Sequence, residues 1–148
     1  MDTFVSVYKL NVFSVFRLCQ RCAPHMEFAG EGAILNISSM SAEDKNVNMA
    51  AYGSSKAAVS RLRRNIAFDL GAKGIRVNAI APGAIKTTAL DSVLTLEVEK
   101  AMLKHTSLRR LGEVNDIAYA ALYLCPPAAS WVSGQVLTVS GGGVQELE

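Results

Sequence analysis

The segment AYGSSK, residues 51–56, sets a tyrosine and a lysine four positions apart with only glycine and serine between them. On a helix, positions i and i+4 lie one above the other, so Tyr52 and Lys56 share a face with their polar ends close together. A free phenol titrates near 10, so only about one in a thousand is ionised at neutral pH. An ammonium one helical turn away favours the phenolate. At about 4 Å and an effective dielectric near 20 the attraction is about 4 kcal/mol, a ceiling of roughly three pH units. That brings a phenol into the range of a working general acid and base. A glutamate beside the same charge would fall further from neutrality and be useless for the task. Gly53 costs the helix about 1 kcal/mol against alanine, so its place in this turn implies a close approach by something else. The plainer reading of the same spacing is a tyrosine that packs, a lysine that snorkels and a glycine that admits a neighbouring helix.

Two neighbouring segments bear on that choice. Ser39 lies thirteen residues before Tyr52, at the end of the short apolar run AILNIS (33–38). A hydroxyl there could hold a carbonyl or alcohol oxygen beside the phenol. The run IRVNAIA (75–81) ends in Pro82-Gly83, with Thr87 a few residues on. It offers a rigid turn and backbone groups suited to a planar amide.

The elements that must position these residues follow from periodicity. Phe4, Tyr8, Val12, Val15, Cys19, Cys22 and Met26 recur at helical spacing, which predicts a helix over 2–28 ended by Gly30 and Gly32. Residues 33–38, 75–81 and 134–140 read as strands. The polar stretch SMSAEDKNVN reads as a loop. A long helix is expected over 49–70, with Val59, Leu62, Ile66 and Leu70 on one stripe and Gly71 and Gly74 after it. A weak helix is expected after the Pro82-Gly83 turn, running to 103. Another covers 113–125, with Cys125 at its end and Pro126-Pro127 beyond. The alternation of helix and strand predicts an α/β fold with a parallel sheet and right-handed connections. Reactive groups then collect outside the C-terminal strand ends, here Ser38-Ser39, Pro82-Gly83 and Ser140-Gly141. There are no repeats, low-complexity tracts or linkers, so 1–148 is expected to belong to one domain, in part or whole, with no second domain.

Composition removes several classes of function. The chain is 50% hydrophobic and 19% charged, which is globular rather than disordered. A net charge of +2 favours neither nucleic acid nor an acidic membrane surface as partner. Arg61, Arg63 and Arg64 read as a solvated helix face. No apolar run reaches the roughly 18 residues of a membrane span. The start MDTFVSVYKL lacks a signal peptide's basic region and cleavage site, and three cysteines suit a reducing compartment, so a cytoplasmic location is expected. Cys19 and Cys22 match C-x-x-C, but the surroundings are helical and apolar and no second ligand pair is near. They are expected to pack as small hydrophobes, with no metal site.

Taken together, LNISSMSA, AAYGSSKAAV and IRVNAIAPGAIKT resemble the short-chain dehydrogenase/reductase family, and PPAASWVSGQVLTVSGGG is similar to its last strand region. The resemblance covers essentially the whole chain. It implies that Ser39 orients the substrate oxygen and Tyr52 transfers the proton. It implies that Lys56 holds cofactor ribose hydroxyls and lowers the pKa of the tyrosine. Asn11, in LNVFS, falls where the family's helix asparagine supports a water relay to the lysine; by itself it would read as a polar residue facing solvent or capping a kink. Pro82, Gly83, Ile85, Lys86 and Thr87 fall on the loop that grips the nicotinamide end. The implied fold is the C-terminal part of a doubly wound Rossmann-type parallel sheet, about three strands with flanking helices.

The same resemblance implies what is missing. The first nucleotide-binding half is absent, with its strand, its glycine-rich turn and its helix N-terminus for pyrophosphate. The glycines of SGGG (140–143) follow the last strand and do not replace it. Ser140 stands where the family often has aspartate. The segment that selects between NAD and NADP is absent too, so NAD is expected with NADP open. The implied reaction is hydride transfer between a nicotinamide cofactor and a secondary alcohol or ketone. A hydroxysteroid, oxidised at the 7α-hydroxyl of bile acids, is the first substrate and a 3-oxoacyl thioester the alternative. A homo-oligomer, dimer or tetramer, is the family's habit. A non-catalytic chain that only associates with full-length relatives is the reading from a different class. Three strands with an open edge imply a chain that is marginally stable or associates.

Overall fold

The computed structural model of the chain describes residues 1–44, 47–92 and 94–143. The first expected helix is interrupted. Helix α1 (Asp2–Tyr8) passes into a single π-helical turn, Lys9–Phe13, and continues as α2 (Ser14–Ala29). Period counting misses the extra residue of a π turn, because the apolar stripe resumes on nearly the same face beyond it. Gly30 closes α2 at φ 82°, where a side chain would be strained. Strand β1 (Gly32–Ile37) follows, then one 3₁₀ turn, Met40–Ala42, inside the expected loop, and the long helix α3 (Ala50–Gly71). Lys45 and Asn46 of that loop lie outside the described residues.

Strand β2 (Ile75–Pro82) leads into two short helices, α4 (Thr88–Asp91) and α5 (Leu96–Lys104), where one weak helix was expected. Each starts on a threonine: Thr87 Oγ1 accepts from the Leu90 amide, and Thr95 Oγ1 accepts from the Val98 amide, both at 3.3 Å. A second N-cap restarts the helix instead of prolonging it. Helix α6 (Val114–Leu124), a 3₁₀ turn at Pro127–Ala129 and strand β3 (Val136–Val139) complete the described elements. At the start of α6 the Asp116 carboxylate accepts from the Glu113 amide at 2.7 Å.

The three strands are parallel in the order β1-β2-β3, as expected. Central β2 is buried almost end to end, and Val77, Ala79 and Ile80 have no exposed surface. Cys19 and Ala23 of α2, Ile66 of α3, and Ile75 and Val77 of β2 form the core on one face, with Leu62 and Leu70 packed against it. Helix α6 lies on the other face. There Arg76, whose side chain alternates with those of Ile75 and Val77, donates to the Leu124 carbonyl at 2.8 Å and the Cys125 carbonyl at 2.7 Å. Both crossovers step the same way across the sheet but place their helices on opposite faces. They cannot share a hand, so the expectation of uniformly right-handed connections fails for one of them.

The cysteines are not equivalent. Cys19 is buried, 4.0 Å from Asn36 Oδ1, and burial raises its pKa. Cys22 is exposed rather than packed, and all three cysteines are free thiols. No helix among the described residues is long and apolar enough to cross a membrane.

Candidate active site

The site is built where β1 ends against the first turns of α3. Ser38, 2% exposed, donates its hydroxyl to the Lys56 carbonyl at 3.0 Å and shares a 2.6 Å hydrogen bond with the Ser60 hydroxyl. Those bonds fix the strand end to the helix turn carrying Tyr52 and Lys56. On the same strand end, Lys56 Nζ donates to the Ile37 carbonyl at 2.9 Å. The amine lies 5.7 Å from the centroid of the Tyr52 ring. Burial disfavours its charged form and lowers its pKa. The two side chains share a face, with the amine over the ring and bonded to the Ile37 carbonyl.

Ser39 caps the 3₁₀ turn, its Oγ accepting from the Ser41 amide at 3.1 Å. That leaves the hydroxyl proton for another acceptor. Gly53 has a specific reason. A Cβ there would stand 2.7 Å from the Ser41 carbonyl oxygen. The close approach is made by the turn after β1, not by a neighbouring helix, and it brings the Ser39 turn against the helix beside Tyr52.

Asn11 sits inside the π turn and is neither solvent-facing nor a kink cap. Its Nδ2 donates to Ser55 Oγ at 3.0 Å, and Ser55 Oγ donates to the Tyr52 carbonyl at 2.7 Å. The π turn aims the asparagine at α3, a recurrent use of such turns at functional positions.

The loop after β2 divides. Pro82 pairs with Val139, and the Gly83 amide donates to the Val139 carbonyl at 3.0 Å. A Cβ on Gly83 would meet Ser140 Cα and Cβ at 2.9 Å, so the turn packs against the end of β3. Ile85 bridges Gly112, and the Lys86 amide donates to the Gly112 carbonyl at 2.7 Å. Lys86 and Thr87 are exposed, and Thr87 caps α4.

A cavity of about 240 Å³ at the strand ends joins Ser39 to Pro82 and Gly83, with Met49, Met102 and His105 in its wall. Asn11 and Lys56 line a different groove, of about 480 Å³, along the exposed edge of β1. Tyr52 lines neither, and Ile85, Lys86 and Thr87 stand apart from both. Sequence reasoning named Ser38 only as part of a strand end and gave no role to Ser55 or Ser60, yet the hydrogen bonds of all three hold the site together. The one available signal was the buried helical stripe through Ser55, Val59 and Ile66. The SGGG glycines pack against the segment after α5: the Leu108 amide donates to the Gly141 carbonyl at 2.9 Å, and Ser107 Oγ to the Gly142 carbonyl at 3.1 Å.

Residues 1–143 match the family model described as enoyl-(acyl carrier protein) reductase. The 7α-hydroxysteroid dehydrogenase of Escherichia coli (strain K12) is 67% identical over 147 residues, which cover 99% of this chain and 58% of that protein. A solved 7α-hydroxysteroid dehydrogenase, complexed with NADH and 7-oxo glycochenodeoxycholic acid, superposes with a TM-score of 0.95 at 66% identity, covering 100% of this chain and 58% of the other. A gluconate 5-dehydrogenase from Burkholderia cenocepacia, in complex with NADP and tartrate, matches with a TM-score of 0.94 at 31% identity over 99% of this chain and 58% of that one. The chain thus spans under two thirds of the length of these relatives.

Proposed function

The chain belongs to the short-chain dehydrogenase/reductase family, and we propose that it carries the proton-transfer side of a nicotinamide-dependent oxidoreductase acting on a secondary alcohol or ketone, with a 7α-hydroxysteroid as substrate. The observation that supports this reading is the Lys56 amine over the Tyr52 ring, bonded to the Ile37 carbonyl one residue past buried Asn36 and two before Ser39. The substrate class is supported by the bile-acid-bound relative at 66% identity.

In this reading the Ser39 hydroxyl donates to the substrate oxygen. The Tyr52 phenol gives that oxygen a proton in reduction and takes one in oxidation. Lys56 supplies positive charge beside the phenol and, through donors left over from the Ile37 bond, holds ribose hydroxyls. Asn11 is a positioning residue, tied through Ser55 to the Tyr52 backbone. The residues present fit the nicotinamide-ribose end of a dinucleotide: a desolvated amine lines an open groove, and a Pro82-Gly83 backbone turn is locked to β3. Among the described residues no glycine-rich strand-to-helix turn stands ready for pyrophosphate. When bound, NAD, or NADP in its place, supplies the hydride chemistry.

The test is reduction of a 7-oxo bile acid with NADH by the purified protein, wild type against Tyr52→Phe. Loss of a positioned general acid should lower turnover by about 10²- to 10⁴-fold. Full turnover in Tyr52→Phe would refute the role given to Tyr52. A wild-type chain with neither turnover nor saturable NADH binding would favour the non-catalytic, associating reading.

A further inference from the structure

Behind the loop that carries Ser39 runs a second groove, of about 500 Å³, over the β2–β3 half of the sheet. One wall is α3, with Ser60, Arg61, Arg63 and Arg64; the other is the loop, with Glu43 and Asp44. The arginines do not form the uniformly solvated face expected of them. Arg61 and Arg64 are exposed, but Arg63 is only 8% exposed.

Arg63 donates from Nη1 to the carbonyl of Ser60, one turn back on its own helix, and its buried Nε has no partner. A guanidinium held out of water with a donor unpaired is costly, and a native site answers that cost with water or an anion. The protein's own carboxylates do not provide it. Among the described residues the ion pairs are Lys73–Glu27 and Arg110–Asp116, and neither Glu43 nor Asp44 reaches an arginine across the groove. The loop is set at its distance by the Ser39–Ser41 cap and by the Ser41 carbonyl seated on Gly53. Burial and the flanking Arg64 and Arg61 charges weigh against the cation, with Glu43 opposing them. A negative group in the groove, whose wall includes Arg63, would offset the burial and the flanking arginine charges.

We propose that this groove is a binding site for a small oxyanion, a phosphate or carboxylate group, held by the guanidinium of Arg63 and flanked by those of Arg61 and Arg64. A planar guanidinium meets two oxygens of such a group in parallel, which is the geometry arginine serves best. The occupied groove would also brace the loop that carries Ser39, since Ser39 lines it too. The groove shares the wall residue Ser39 with the cavity at the strand ends, but the proposal does not depend on the catalytic reading.

The purified chain is titrated calorimetrically with inorganic phosphate and, separately, with acetate, at an ionic strength held constant with chloride. Saturable binding of either oxyanion is expected, and the stronger of the two identifies the preferred group. Arg63→Met should weaken it about tenfold or more, the loss of a charged hydrogen bond. The Arg61→Gln/Arg64→Gln double variant alters only exposed residues and should weaken it as well, so a poorly folding Arg63→Met does not remove the test. No saturable binding of either anion overturns the proposal, as does binding unchanged in both variants. Binding that emerges only in Glu43→Gln overturns it too, because the groove would then be closed by an internal ion pair.

Discussion

Asn11 and Ser55 are joined across two helices by a 3.0 Å hydrogen bond, with Ser55 fully buried. The bond joins a π turn in one helix to the turn of α3 between Tyr52 and Lys56. Ser55 passes it on, donating to the Tyr52 carbonyl. The pair couples the placement of Asn11 to the backbone of the tyrosine.

That coupling predicts non-additive losses. Ser55→Ala leaves the Asn11 amide without its partner and should destabilise the chain by about 1–3 kcal/mol. Asn11→Ala removes the other half. Because the two side chains touch, the double variant should cost less than the sum of the singles by about 1 kcal/mol. Urea unfolding of the four proteins measures this; strict additivity would mean that the bond carries no energy.

Gly53→Ala separates helix propensity from site geometry. An alanine should favour the helix by about 1 kcal/mol. Its Cβ would stand 2.7 Å from the Ser41 carbonyl oxygen, a backbone atom that cannot swing aside like a side chain. The turn carrying Ser39 must shift. The expected outcome is a melting temperature no higher than wild type, with turnover reduced at least about tenfold through misplaced Ser39, since misplacement by about 1 Å costs around 10²-fold. An unaltered turnover with a raised melting temperature would contradict the contact.

The sequence made α2, α3, α6 and the strands legible because each carries a periodic apolar stripe, ended by Gly30 or Pro126 or by the Pro82-Gly83 turn. It also placed Tyr52 and Lys56 on one face, since helical geometry alone decides that. What stayed hidden depends on contacts between elements. The π turn at Asn11 is stabilised by α3, which no local pattern reveals. The role of Gly53 depends on a carbonyl twelve residues earlier, and the burial of Arg63 on a sheet face its own helix pattern cannot describe. The opposite faces of α3 and α6 are likewise a property of the assembled sheet.

Helix α6 offers a pH test away from the site. The Asp116 carboxylate is held down to about 2 by the hydrogen bond from Arg110, with the Glu113 amide adding to it. Its folded value lies below the ordinary 3.8, so its contribution is fully present above 3.8 and is lost as pH falls toward about 2. Asp116→Asn should lower the melting temperature at neutral pH, and the difference from wild type should vanish over that acid window. Circular dichroism melts at a series of pH values measure it; a difference constant with pH would show that the carboxylate charge is not what caps the helix.

Lys56 carries the opposite sign. Burial pulls the pKa of its amine below the ordinary 10.5. Unfolding therefore takes up protons between the folded value and 10.5, so stability rises with pH across that window. Below the folded value the desolvated charge opposes folding in full; above 10.5 the opposition is gone. Lys56→Met removes the charge and keeps an unbranched stem, while the Ile37 carbonyl, on a residue 46% exposed, can turn to water. The variant is expected to melt no lower than wild type at neutral pH, with its relative advantage shrinking as pH rises toward 10.5, and to lose turnover throughout. Comparing the two proteins at each pH cancels the other groups that titrate there. A gap that widens with pH would mean that the amine gains more from its fold than it loses to burial, and the reading of Lys56 as a charge held beside Tyr52 at a cost to stability would fail.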